Sequence, residues 1–327
     1  MWPYWVVFIF PSIVTVFENR ISARNKILIW YFLLFVLTIF IGLRYEVGGD
    51  WFQYKKNHIE LLENYSFFHT DLKNDYIYTL IAYLSSFIIA DIVFLNFILA
   101  IIFIISLNYF IEKDSDYFFV LTGAIPIHIL VVGMGFVRQS VAISFFLIAI
   151  KYLSVNKKFR SLISIIIGIG FHKTLFPMII VLLLSIKSKF FLLVAFIFLI
   201  FSYYFLYSFI RLFYYYAGEG ISFTSYGALY RIIISIFFSV IFIVFSNILI
   251  KNHFEKKIYF YLSSLCILSF PFVFSYSSMI DRLCFYFIPV QLFVLMRFKK
   301  LFKNQKNYFF AKLCIIIFYA CVYFIWL

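Results

Sequence analysis

Apolar runs recur along this chain from end to end, and short loops rich in lysine and arginine separate them. Ile232–Ile250 and Phe190–Ile210 are each close to the ~20 residues a helix needs to cross a bilayer. Hydrophobic residues make up 65% of the chain and charged residues only 13%, more apolar surface than a water-soluble core of this length could cover. Lipid must therefore solvate much of it. Inside lipid each backbone N–H and C=O has to be satisfied within the structure, which leaves helices or a closed barrel, and unbroken apolar runs of this length specify helices. The expected fold class is all-α: a polytopic integral membrane helical bundle.

A formal charge of +14 raises the question of nucleic acid, and its distribution answers against it. The cations cluster between apolar runs: Arg20, Arg24 and Lys26; Lys151, Lys157, Lys158 and Arg160; Lys187 and Lys189; Lys251, Lys256 and Lys257; Arg297, Lys299, Lys300, Lys303 and Lys306. Such clusters mark the cytoplasmic side and contact anionic membrane lipid. Cys266, Cys284, Cys314 and Cys321 all fall in apolar segments, without the spacing of a metal site or a disulfide framework.

Holding the basic loops inside sets the path. The opening Met1–Phe17, which lacks the basic start and cleavage site of a signal peptide, reads as a first span running inward over Pro3–Phe17. Ile27–Leu43 returns outward to an outer loop over residues 44–75. Ile92–Ile111, Phe118–Val132 and Ser140–Leu153 follow. Ser161–Gly170 and Thr174–Ile186 form a short pair, and Phe190–Ile210, Leu229–Ile250, Ile258–Ser275, Leu283–Met296 and Tyr308–Trp326 complete a set of about 11–12 segments in one transmembrane domain, residues 1–327. Tyr76–Ala90 is too short to span and would reverse the basic loops, so a re-entrant or interfacial helix on the outer face is expected. One loop runs against the charge rule: Glu112–Asp116 lands inside with a single lysine.

Five arginines fall on the expected outer face, at or near the ends of apolar segments: Arg44, Arg138, Arg211, Arg231 and Arg282. Intramembrane charges need a partner or a purpose, and a guanidinium fork matches phosphate oxygens bidentately. The plain alternative for Arg211 and Arg231 is an interface anchor or an acid pair, Glu219 being available to Arg211. Four polar stretches carry the rest. Gly42 to Tyr54 holds Arg44, Tyr45, two adjacent glycines, and Asp50 and Tyr54 at helical i,i+4 spacing, with Asp50 near a helix start where backbone N–H groups keep a carboxylate ionised. Gly133 to Ser140 presents Arg138-Gln139 at a helix mouth. Phe171-His172-Lys173-Thr174 places a histidine in a polar turn. Ser275 to Leu283 ends on Asp281-Arg282, with Tyr286 beyond.

In this order the four stretches resemble the EpsG-like branch of the Wzy-type polysaccharide polymerases. That family has a first outer loop of the form G-x-R-Y-x-V-G-x-D-x-x-x-Y, an R-Q pair opening a helix, an F-H-x-[ST] turn, and a late arginine followed by aromatics. The resemblance runs from Gly42 to about Phe287. It departs at Asn74-Asp75-Tyr76, where the family's proline after an acid is missing. The resemblance implies a GT-C-like membrane glycosyltransferase that joins undecaprenyl-pyrophosphate-linked repeat units, with inversion, on the periplasmic face of the bacterial inner membrane, for O-antigen, capsule or exopolysaccharide. A chain-length regulator protein is a candidate partner. In that chemistry Arg138 and Arg282 would stabilise the leaving pyrophosphate, Arg44 and either Arg211 or Arg231 would assist, and Gln139 is a further substrate-binding candidate. Asp50 and His172 are the two candidate bases, and Tyr45, Tyr54 and Tyr286 candidates for stacking on sugars. No carboxylate cluster calls for a metal or other cofactor. The alternatives are a lipid-linked oligosaccharide flippase or transporter, for which internal pseudo-symmetry would be expected, and a ligase or O-acyltransferase using a related donor.

Overall fold

Helix length separates the elements that can cross a membrane from those that cannot. A computed structural model describes residues 2–64, 75–185 and 225–326; among them every regular element is helical. Seven helical stretches are long and apolar enough to span a bilayer: Ala23–Gly42, Ile92–Phe110, Tyr117–Gly135, Val137–Ser154, Ala228–Leu249, Ser277–Leu301 and Gln305–Ile325. The chain is a multi-pass membrane helical bundle. The other expected segments within these residues are shorter helices, and the expected span Phe190–Ile210 lies outside the described residues.

The described residues form two compact units, Met1–Leu175 with Leu295–Leu327, and Phe176–Val294. The first unit begins with α1 (Trp2–Phe17) and α2 (Ala23–Gly42), then α3 (Trp51–Asn64) and α4 (Tyr76–Ser86). The expected outer loop thus contains a polar helix, α3, whose start the spacing of Asp50 and Tyr54 had marked. The 11 residues of α4 extend about 16 Å, roughly half a bilayer core, so α4 is too short to span one by itself. Next come α5 (Ile92–Phe110) and α6 (Tyr117–Ala124). A π-helical segment follows from Ile125 to Gly135. Pro126 near its start has no N–H to give to the α ladder, which favours the wider turn. The expected segment Phe118–Val132 therefore runs on to Gly135. α7 (Val137–Ser154) and α8 (Lys158–Phe171) pack antiparallel; the Ser161 hydroxyl donates to the Ala149 carbonyl at 2.8 Å.

The second unit holds α9 (Met178–Ser185), α10 (Ala228–Leu249), α11 (His253–Ser269) and α12 (Ser277–Cys284), and α13 (Ile288–Arg297) leads back to α14 (Gln305–Trp326) of the first. α14 lies along α1: the Tyr323 hydroxyl donates to the Tyr4 carbonyl at 2.6 Å, and the Tyr323 ring stacks on Phe8 at 5.2 Å.

The exceptional acidic loop finds its charges at home. Glu112 pairs with Lys151 at 3.4 Å and Arg297 at 2.5 Å, and Asp116 pairs with Lys312 at 3.5 Å and accepts from the Tyr308 hydroxyl. These acids sit among the basic loops because the cations there neutralise them.

Candidate active site

The segments around Arg44, Arg138 and His172, far apart in sequence, meet at one end of the first unit. Arg44 follows the last turn of α2 and is 4% exposed. Its guanidinium donates to the Ile41 carbonyl at 3.1 Å, the Asn96 Oδ1 at 3.3 Å and, at the end of the π-helical segment, the Gly133 carbonyl at 3.4 Å. Nε has no hydrogen-bond partner and, among the described residues, no carboxylate comes within ion-pair distance of this arginine. Burial lowers its pKa to about 10, which leaves it charged at neutral pH.

The loop beyond Arg44 is pressed against the same π-helical end. Gly48 has a φ of +105°, and a Cβ there would stand 2.9 Å from the Met134 carbonyl oxygen and 3.1 Å from the Gly135 Cα. Only glycine fits both the angle and the gap. Asp50 then occupies the helix-start position that its spacing to Tyr54 implied, its carbonyl accepting from the Tyr54 N–H at 3.0 Å. Tyr45 is exposed, edge-on to Trp51 at 5.8 Å and beneath the Lys55 ammonium at 6.0 Å, free to offer a ring face. Tyr54 is 4% exposed and serves differently from the expected sugar platform: it supports an arginine.

That arginine is Arg138, in the first turn of α7. Its guanidinium lies over Tyr54 at 5.1 Å and Tyr78 at 5.7 Å, an arrangement worth about 0.5–2 kcal/mol per ring. Nη1 donates to Asp75 Oδ2 at 2.7 Å. The same two phenols, 6.2 Å apart, are near enough to Arg44 to act on it electrostatically, so the two guanidinium groups have this pair as a common neighbour. Gln139, the next residue, is fully buried in α7.

Asp75 was not among the sequence-derived site residues. It precedes α4, is 5% exposed, and its Oδ1 has no hydrogen-bond partner. Burial pushes its carboxyl above the usual range, while Arg138 and Lys173 pull it back. Its signal in sequence was an acid opening a short apolar helix, indistinguishable there from an ordinary helix cap. α4 reaches this position because Gly170 of α8 lets Ile77 approach to where a Cβ would be 2.5 Å away. That approach brings the turn after α8 beside Asp75. In this turn His172 ends α8, and its Nδ1 lies 3.3 Å from the Thr174 N–H and 3.2 Å from the Thr174 hydroxyl. Lys173, next to it, has its pKa lowered by burial, partly restored by Asp75.

The second unit contains the remaining candidates. Arg231 on α10 does not present a free fork: Nη2 donates to Asp281 Oδ2 at 2.6 Å and to the Ser225 hydroxyl at 2.9 Å, and Nε also meets Asp281. The acid-pair alternative is the one the structure bears out for Arg231. Arg282 is half-buried in the last turn of α12. Tyr286 is fully buried in the turn Phe285–Phe287, where its ring packs in the core and offers no face to a sugar, contrary to the stacking expectation. Arg211 and its proposed partner Glu219 lie outside the described residues. Among the described residues no group of three or more histidine, cysteine, aspartate or glutamate side chains is placed to hold a metal ion.

The model of the EpsG family matches residues 27–327, nearly the whole chain. The chain belongs to the EpsG family. Membership carries a polysaccharide polymerase-type role and covers the Arg44 loop, the Arg138 helix mouth, the His172 turn and Arg282 together. No curated protein and no solved structure matches this EpsG-family chain.

Proposed function

We propose that this chain is an inverting glycosyltransferase that polymerises undecaprenyl-pyrophosphate-linked repeat units on the periplasmic face of the inner membrane. The observation that carries the reading is Arg44, a buried guanidinium with no carboxylate partner among the described residues, near the same Tyr54–Tyr78 pair that lies under Arg138. An uncompensated buried cation is unfavourable by several kcal/mol. A bound pyrophosphate would offset that, and two forks suit its two phosphates.

The transfer needs little more than this. The acceptor hydroxyl attacks the anomeric carbon of the donor, whose bond to the pyrophosphate breaks on the opposite side. Negative charge grows on the leaving oxygen. Guanidinium groups held against that oxygen stabilise the charge, typically by about 3–4 kcal/mol for a key donor. Tyr45, exposed beside the loop, is positioned to receive a sugar face.

The test is incubation of purified, lipid-reconstituted protein with a lipid-linked repeat unit. A ladder of products spaced by one repeat is expected. Unchanged substrate, with protein shown to be folded, sinks the reading.

A further inference from the structure

Arg138 and Asp75 hold each other in a way that leaves both unfinished. The guanidinium has five N–H donors, of which Nη1 is given to Asp75 at 2.7 Å while Nε is buried without a partner. On the carboxylate, Oδ2 takes that bond and Oδ1 is buried and unpartnered among the described residues. A finished structural pair is bidentate, as Arg231 and Asp281 are in the same chain.

We propose that Asp75 is the general base of glycan transfer, and that Arg138 restrains it until donor pyrophosphate draws the guanidinium away. The proposal rests on the polymerase reading above. Pyrophosphate carries more charge than one carboxylate and matches the fork on two oxygens, so it competes well for Arg138. Once the fork turns to phosphate, Asp75 loses its nearest counter-charge inside a buried site, and its affinity for a proton rises. The other groups facing it are the Lys173 ammonium and backbone N–H and the Tyr78 phenol, with Tyr54 behind Arg138. Acceptor hydroxyl at Oδ1 then gives its proton to Asp75 as its oxygen bonds the anomeric carbon. The bond from that carbon to the pyrophosphate breaks, and its electron pair leaves with the phosphate oxygen. Without donor the base stays paired, which limits activation of water.

The two bases expected from sequence fit less well. The Thr174 N–H donates to His172 Nδ1 at 3.3 Å, which occupies the lone pair of that nitrogen. Asp50 stands at the start of α3 and is half-buried, whereas Asp75 is enclosed.

The experiment compares wild type, Asp75→Asn and Asp75→Glu in reconstituted protein, measuring turnover with a lipid-linked repeat unit and binding of geranylgeranyl pyrophosphate. Asp75→Asn preserves shape and an acceptor for Arg138, yet should lose about 100-fold or more in turnover. It should bind the prenyl pyrophosphate as tightly as wild type or tighter, because a competing carboxylate is gone. Asp75→Glu should recover part of the turnover, and the acid limb of the wild-type pH profile should be missing from the residual Asn activity. Near-normal turnover in Asp75→Asn, while the wild type makes a ladder, overturns this inference alone. So does loss of turnover with an equal loss of prenyl pyrophosphate binding and no rescue by Glu, the signature of a structural pair. A folded wild type that makes no ladder overturns the polymerase reading and this one with it. If Asp75→Asn does not fold, a wild-type profile without an acid limb overturns the inference.

Discussion

At one end of the first unit Glu112 is held between Lys151 and Arg297, Asp116 by Lys312 and Tyr308, and Glu18 by Lys26. At the other end Arg44, Arg138 and Lys173 gather near one buried carboxylate among the described residues, Asp75. α7 joins the two, with Arg138 in its first turn and Lys151 in its last, about 20 Å apart along the axis. The same types of side chain are thus used in two ways. Acids and bases that answer one another hold loops together and ask nothing of a ligand. Cations in excess, buried or half-buried and partly unbonded, store a requirement for an anion that the described residues do not meet.

The largest contrast should come from matched arginine substitutions at the two ends. Arg138→Lys keeps the charge and loses the fork, and turnover is expected to fall about 100-fold or more, as for loss of a key transition-state donor. Arg297→Lys, whose partner Glu112 also has Lys151, should change turnover less than about threefold, the scale of a partly exposed pair. Equal losses, read from initial rates at equal protein, would break the comparison.

Next in size is a pair of charge deletions read by thermal unfolding in lipid or detergent. Arg44→Met removes a buried cation without a carboxylate, and should raise stability by about 1 kcal/mol or more while weakening prenyl pyrophosphate binding. Lys312→Met strips Asp116 of its ammonium in a mostly buried place and should lower stability by about 1–3 kcal/mol. A destabilised Arg44→Met with normal binding would make Arg44 a structural residue.

Backbone placement gives a smaller effect. Gly48→Ala puts a methyl against the Met134 carbonyl at a left-handed φ, and is expected to cost about 1–3 kcal/mol of local stability and several-fold in turnover. Gly49→Ala, where a Cβ meets nothing within 4 Å, should stay within about 0.5 kcal/mol. Similar behaviour of the two variants would detach the loop from the site. The smallest effect belongs to Glu112→Gln: a stability loss of about 0.2–1 kcal/mol with turnover unchanged. A turnover defect there would tie the neutralised end to catalysis after all.

Much of the bundle was legible because the signals are local. Apolar run length marks the spans, and Asp50 and Tyr54 announce the start of α3 by spacing alone. Two misreadings have the same origin. The extent of α3 beyond its start was hidden inside a polar loop because its helical face becomes visible only when Trp51, Tyr54, His58 and Leu61 are seen buried together. Tyr286 looked like a sugar platform because aromatics near a late arginine carry no mark of whether core or solvent covers them.

The sequence by itself determined that this protein is helical and lives in a membrane, and it named the turns where polar chemistry gathers. Hydrophobic period, run length and loop charge act within a few residues of each other, so they survive being read along a line. Which charges are satisfied was decided by the tertiary structure alone. Arg231 meets its acid 50 residues away and Arg138 meets Asp75 across 63, while Arg44 finds no carboxylate among the described residues. Coulomb energy depends on separation in ångströms and on the local dielectric, and neither is written in residue numbers.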